Sequence, residues 1–160
     1  MIPLHEAIKL AKRHRIVQLI MLVLLLTLNC PGQTEEKKNW RTDPYATQLD
    51  MNEGARGDFD KADAKLNKLY QLARARHKGE SLFLQKFQKA QQAWLAFRDA
   101  HMEARYPAAD KRAEYGSVYS MCHWTEMAEL TEARNKQLEK WAYGVVEGDV
   151  CGGSYGHKTR

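Results

Sequence analysis

Apolar residues recur at three- and four-residue steps along three stretches of this chain. In the first, Met51, Ala55, Phe59, Ala62, Leu66, Tyr70, Ala73 and His77 fall on one helical face. That spacing predicts a helix over about 48–78. Thr47 stands before it and Asp50 follows three residues on, a capping-box-like start that also sets an acid at the positive end of the helix. Gly54 and Gly57 each cost about 1 kcal/mol relative to alanine, so the regular part is expected to begin nearer Asp58, and Gly79 is a natural stop.

In the second stretch Phe83, Phe87, Ala90, Trp94, Phe97 and His101 step by four and three in turn. A helix over about 81–105 is predicted, with Ser81 as its cap and Pro107 past its end. Ala108 to Tyr115 reads as a polar, partly helical connection. The third stretch starts after Gly116 and Ser117, with Ser117 as the expected cap, and carries Tyr119, His123, Met127, Leu130, Arg134, Leu138, Trp141 and Val145 on one face. Gly144 and Gly148 mark its decay. No strand pairs and no repeat interrupt this pattern. The fold class is therefore all-α, a small antiparallel bundle of about three amphipathic helices.

The N-terminus follows a different pattern. Basic residues end at Arg15, and an apolar run from Ile16 to Leu28 is broken only by Gln18 and Thr27. As a helix this run rises about 20 Å, short of a roughly 30 Å hydrocarbon core. Residues 1–32 therefore read as a signal peptide or lipoprotein leader. Cys30 is the candidate lipidation site, although Asn29 and Thr27 stand where a lipobox places a small residue and leucine. Residues 33–45 read as a flexible spacer, 46–152 as the helical domain and 153–160 as a flexible tail. The expected location is the periplasm or cell envelope, with membrane attachment only through the leader or a lipid anchor.

Charge narrows the partners. Lys9, Lys12, Arg13 and Arg15 against Glu6 account for +3 of the net +5, leaving +2 for the rest of the chain. Both signs are interspersed, without the concentrated basic face of a nucleic-acid binder. Without Cys30, two cysteines remain, Cys122 and Cys151. In an oxidising compartment they are expected to form a disulfide that ties the glycine-rich tail to the third helix. His101, Met102, Met121, Cys122 and His123 offer soft ligands, but their spacing matches no zinc or copper pattern. No metal and no cofactor are expected. No nucleophile elbow, zinc-protease motif, phosphate loop or dinucleotide fingerprint occurs, and no catalytic residue is assigned.

The core and its polar network are expected to comprise Phe59, Asp63, Leu66, Tyr70, Phe87, Trp94, Phe97, Arg98, Asp99, Tyr119, Leu130 and Arg134. Arg98 and Arg134 interrupt apolar faces, so each guanidinium needs hydrogen-bonding partners. Asp63 is the natural one for Arg98. The segment KAQQAWLAFRDAH (89–101) concentrates this arrangement and reads as the packing spine of the bundle.

That segment also carries a resemblance. TQLDMNEGA (47–55), DKADAKLNKLY (60–70), KAQQAWLAFRDAH (89–101), GSVYSM (116–121) and ELTEARNKQL (129–138) resemble, in order, the N-terminal domain family of the lysozyme inhibitor LprI. Many members of that family have cysteines where this chain has Gly54, Met102 and Glu126; this chain is similar to the subgroup with cysteines at YSMC and EGDVC. The resemblance implies a helical, exported, sometimes lipid-anchored protein that inhibits lysozyme by binding. The implied partner is lysozyme or another envelope protein, the alternative role being an accessory envelope protein. An acidic patch at Glu126, Glu129 and Glu132 is a candidate contact for a basic lysozyme.

Overall fold

A computed structural model describes residues 39–157. Residues 1–38, which hold the expected leader and Cys30, and residues 158–160 lie outside the described residues. Four helices follow in order: α1 (Gln48–Arg76), α2 (Ser81–Arg105), the short α3 (Lys111–Tyr115) and α4 (Tyr119–Tyr143), then a 3-10 turn at Gly153–Tyr155.

α1 is regular from Gln48, ten residues before the start its glycines suggest. The capping box explains this: the Asp50 amide donates to Thr47 Oγ1 at 3.2 Å, and the Thr47 amide donates to Asp50 Oδ2 at 2.8 Å. Gly54 has a second role. The Trp40 ring lies so close that a Cβ at Gly54 would sit 2.0 Å from it. Trp40 Nε1 donates to Asp58 at 3.2 Å, and Arg41 reaches the same carboxylate at 3.2 Å with its guanidinium over the Trp40 ring. The glycine thus gives up helix propensity to make room for an aromatic anchor.

The backbones of α1 and α4 approach closely along their length, whereas α2 makes only scattered close backbone approaches. Small residues permit the α1–α4 seam: Ala55, Ala62 and Ala73 on one side, Ala128 and Thr131 on the other, all buried. Phe59 meets Trp124, Lys65 meets Glu132, and Arg76 meets the segment after α4. These pairs show that α1 and α4 run parallel, with α2 antiparallel to both. α2 spans its wider gap with long side chains.

Two apolar clusters result. One gathers Leu66, Leu69, Ala73, Phe87 and Leu138, with Tyr70, Phe83, Trp94 and Trp141 against it. The other gathers Met102, Tyr106 and Met127, with Phe59, Tyr115, Tyr119, Cys122, Trp124 and Leu130.

The expected disulfide does not form: Cys122 and Cys151 are free thiols. Helix geometry keeps them apart. Cys122 lies in the first turn of α4, whereas Cys151 follows its far end, where the neighbouring Gly152 packs on Val145. From Cys122 to Gly144 the helix rises about 33 Å, while a disulfide needs Cα atoms within about 7 Å. Hydrogen bonds hold the tail instead. Val145 donates to the Gly156 carbonyl at 2.9 Å, Arg76 Nη2 to the His157 carbonyl at 2.6 Å, and Trp141 Nε1 to Ser154 Oγ at 3.2 Å. Gly144, at φ 81°, is needed here, because a Cβ would meet the His157 backbone at 2.6 Å.

No helix among the described residues is long and apolar enough to cross a membrane.

Candidate interaction surface

The buried face of α2 is turned relative to the expected stripe. Phe87, Gln91 and Met102 are buried, and Trp94 and Arg98 are half-buried beside them. Phe97 is instead 55% exposed, and among the described aromatic rings it meets the His101 imidazole, at 5.8 Å. Asp99 is exposed as well and pairs with Arg98 Nε at 3.3 Å without reaching another helix. Partners on other helices draw polar groups inward in their place. Arg98 lies 3.6 Å from Asp63, and Arg134 Nε donates to Gln91 Oε1 at 3.1 Å.

Trp94 stands between the two guanidiniums, 5.3 Å from Arg98 and 5.9 Å from Arg134. Arg134 also lies 5.9 Å from Trp141, and Gln137 accepts from its Nη1 at 2.8 Å. Burial lowers the pKa of Arg134 from its ordinary value; the neighbouring π faces and amide oxygens offset part of that desolvation. This layer joins the helices, and its groups face one another.

The acidic patch is largely neutralised from within. Glu126 accepts from His101 Nε2 at 3.2 Å and pairs closely with Arg105. Glu132 and Glu139 share Lys65, at 3.3 and 3.2 Å. These bonds raise the Lys65 pKa, the Glu139 hydrogen bond most. Glu129 remains exposed. The two histidines of the soft-ligand set part ways, His101 to Glu126 and His123 to Tyr119. Among the described residues no group of three or more His, Cys, Asp or Glu is placed to hold a metal.

A different surface stands out at the end of the bundle where α1 and α4 begin and α2 ends. Arg56 lies over Trp124 at 4.2 Å, Trp124 packs on Phe59 at 5.2 Å, and His123 meets Trp124 edge-on at 4.7 Å. The chain of rings continues through Tyr119 to Tyr106 at 5.1 Å and Tyr115 at 6.1 Å. Beside it opens a cleft of about 350 Å³ lined by Gln48, Leu49, Asn52, Arg112, Gly116, Ser117, Tyr119 and Ser120. Leu49 and Val118 are exposed at its rim.

Local structure builds this end. Asp110 caps α3, accepting from the Arg112 and Ala113 amides at 3.1 and 2.9 Å. Gly116, at φ 72°, ends α3. α4 then follows Val118 without a side-chain cap, and Ser117 lines the cleft rather than capping the helix.

Burial lowers the His123 pKa, against an opposing effect of Glu103, and burial raises that of Tyr119. The Tyr119 hydroxyl and His123 Nδ1 share a hydrogen bond across 3.3 Å. The end thus presents half-buried rings, an arginine, amides and hydroxyls. Such a set suits the recognition of a protein surface, where tyrosine, tryptophan and arginine dominate the binding energy. Of the residues expected from sequence, Phe59 and Tyr119 fall here. Arg56, Trp124, Tyr106 and Arg112 were not singled out, although Arg105, Tyr106, Arg112, Tyr115, Tyr119 and Trp124 crowd within twenty residues of sequence.

Residues 41–138 match the family described as lysozyme inhibitor LprI. The chain is also 30% identical over 130 residues to the uncharacterized protein R02472 of Rhizobium meliloti (strain 1021), covering 74% of this chain and 90% of that protein. No solved structure matches.

Proposed function

We propose, from the premise that this chain belongs to the lysozyme inhibitor LprI family, that it blocks a lysozyme by protein contact through the aromatic end of the bundle. The observation that carries the reading is the extent of the family match. Residues 41–138 contain every side chain of that end, from Gln48 to Trp124.

The internal pairing of Glu126 and Glu132 supports a contact led by rings and hydrogen bonds rather than by a broad acidic field. Binding without chemistry needs neither catalyst nor cofactor. Delivery to the cell envelope is part of the same reading. It is supported by the basic segment ending at Arg15 and the apolar run behind it, with Cys30 as the candidate lipid anchor.

The test is a cell-wall clearing assay. The chain from residue 33 onward keeps both core clusters and is expected to slow lysozyme in a saturable, dose-dependent way. Joint replacement Arg112→Glu and Tyr119→Ala is expected to weaken inhibition about tenfold or more, the range of a lost interface anchor. Full lysozyme activity at a large molar excess of the native chain contradicts the proposal.

A further inference from the structure

From Leu82 to Ala100 the outward face of α2 is open to solvent among the described residues. Leu82 and Phe97 are 68% and 55% exposed on it, large apolar side chains open to water. Ala93, Ala96 and Ala100 between and beside them are exposed too. At helical spacing these residues, with Lys86, Lys89 and Glu103, form one seam on the side opposite the buried Phe87, Gln91 and Met102. Read as a heptad, Lys86, Ala93 and Ala100 take one seam position, and Leu82, Lys89, Ala96 and Glu103 take the other. Phe97 flanks the centre.

The placement of charge distinguishes this face from a general apolar stripe. Both lysines lie toward the N-terminal end and the glutamate toward the C-terminal end, with Lys86 and Glu103 equally far from the Ala93–Ala96 centre. Laid antiparallel on a second copy about a twofold axis at that centre, Lys86 of one chain meets Glu103 of the other. Lys89 packs one turn inward beside Ala100, and Ala93 meets Ala96. Every contact then occurs twice, as an isologous interface requires. The alanines let the two backbones approach, and the two Phe97 rings cover the edge near the axis. A parallel arrangement would set lysine on lysine and glutamate on glutamate, which is unfavourable.

Lys86 and Lys89 form no ion pair among the described residues, and Glu103, paired with Lys111 of α3 at 3.1 Å, keeps its side chain 71% exposed. The lysine charges are therefore free for a second copy, and the Glu103 carboxylate is within its reach. We propose that the outer face of α2 is the interface of an antiparallel homodimer, with Lys86 and Glu103 as its reciprocal end contacts. The Ala93–Ala96 centre of this face and its lysines lie away from the aromatic end, which the seam approaches only at Glu103, through Lys111 and His123.

The experiment is sedimentation equilibrium over a range of concentrations, on the chain from residue 33 onward. The native chain is expected to show a reversible monomer–dimer equilibrium. Glu103→Lys alone is expected to weaken dimerisation about tenfold or more, because each dimer loses two cross-chain pairs and gains two repulsions. Lys86→Glu, Lys89→Glu and Glu103→Lys together are expected to restore it to within about threefold of the native value, since the seam is again complementary with its signs reversed. All three positions are exposed, and circular dichroism establishes that each variant keeps its helices. A native chain that stays monomeric at every concentration overturns the proposal. So does a dimer indifferent to Glu103→Lys, or one that the triple reversal fails to restore.

Discussion

Trp94 and Phe97 lie one helical turn apart, yet only Trp94 packs against the core. Trp94→Ala is expected to destabilise the fold by about 2–3 kcal/mol, below the 3–5 of a fully buried large aromatic, because its ring remains half-exposed. Phe97→Ala is expected to change monomer stability by less than about 0.5 kcal/mol. Urea unfolding at dilute protein measures both, and the reverse order would contradict the burial assignments. The apolar steps place Trp94 on the inner side but cannot choose between neighbouring columns of the helix. Ala90 and Phe97 look like core, whereas Gln91 and Arg98 take those places through Arg134 and Asp63. Those partners lie far away in sequence, so the exchange is not legible from α2 alone. His123 yields a pH prediction. Burial holds its folded pKa below the unfolded value, so the unfolded chain binds a proton first as pH falls. Its contribution to stability is fully present above the ordinary histidine value of 6.5 and is lost as pH drops below it toward the lowered folded value. Unfolding of His123→Gln beside the native chain is expected to show a shallower loss between pH 7 and 5; identical slopes would contradict this.

Among the elements, helix ends were more legible where chemistry is local. Thr47 and Asp50 form the capping box their spacing suggests. Thr47→Ala is expected to cost about 1 kcal/mol, read from the thermal unfolding midpoint; an unchanged midpoint would show the first turn to be held elsewhere. That is a real alternative, because Trp40 braces the same turns through Gly54 and Asp58. The contact between Trp40 and Gly54 joins residues fourteen apart in sequence, and propensity alone sees only the cost of the glycine. Ser81 and Ser117 resemble caps by residue type, yet neither caps its helix: α2 follows Glu80 and α4 follows Val118, both without side-chain capping bonds. The cysteines fail as a pair for a similar reason. Cysteine count suggests a partner, but the rise of α4 separates Cys122 from Cys151, and tail hydrogen bonds to Arg76 and Trp141 close the structure instead.

At the scale of the molecule, the all-helical class follows from the three apolar periodicities. The close parallel seam of α1 and α4 does not, because it depends on alanines meeting across a long sequence separation. The same seam brings Phe59 and Arg56 against Trp124 and so assembles the aromatic end. Its density of rings and arginines is visible between Arg105 and Trp124, but its partner residues on α1 are not. In the proposed function this end docks on lysozyme. Isothermal titration of the chain from residue 33 onward into lysozyme tests it most directly. A saturable isotherm is expected for the native chain, retained by Lys86→Glu on the α2 face and strongly weakened by Arg112→Glu with Tyr119→Ala. No binding by the native chain, or equal binding by the aromatic-end variant, would contradict it.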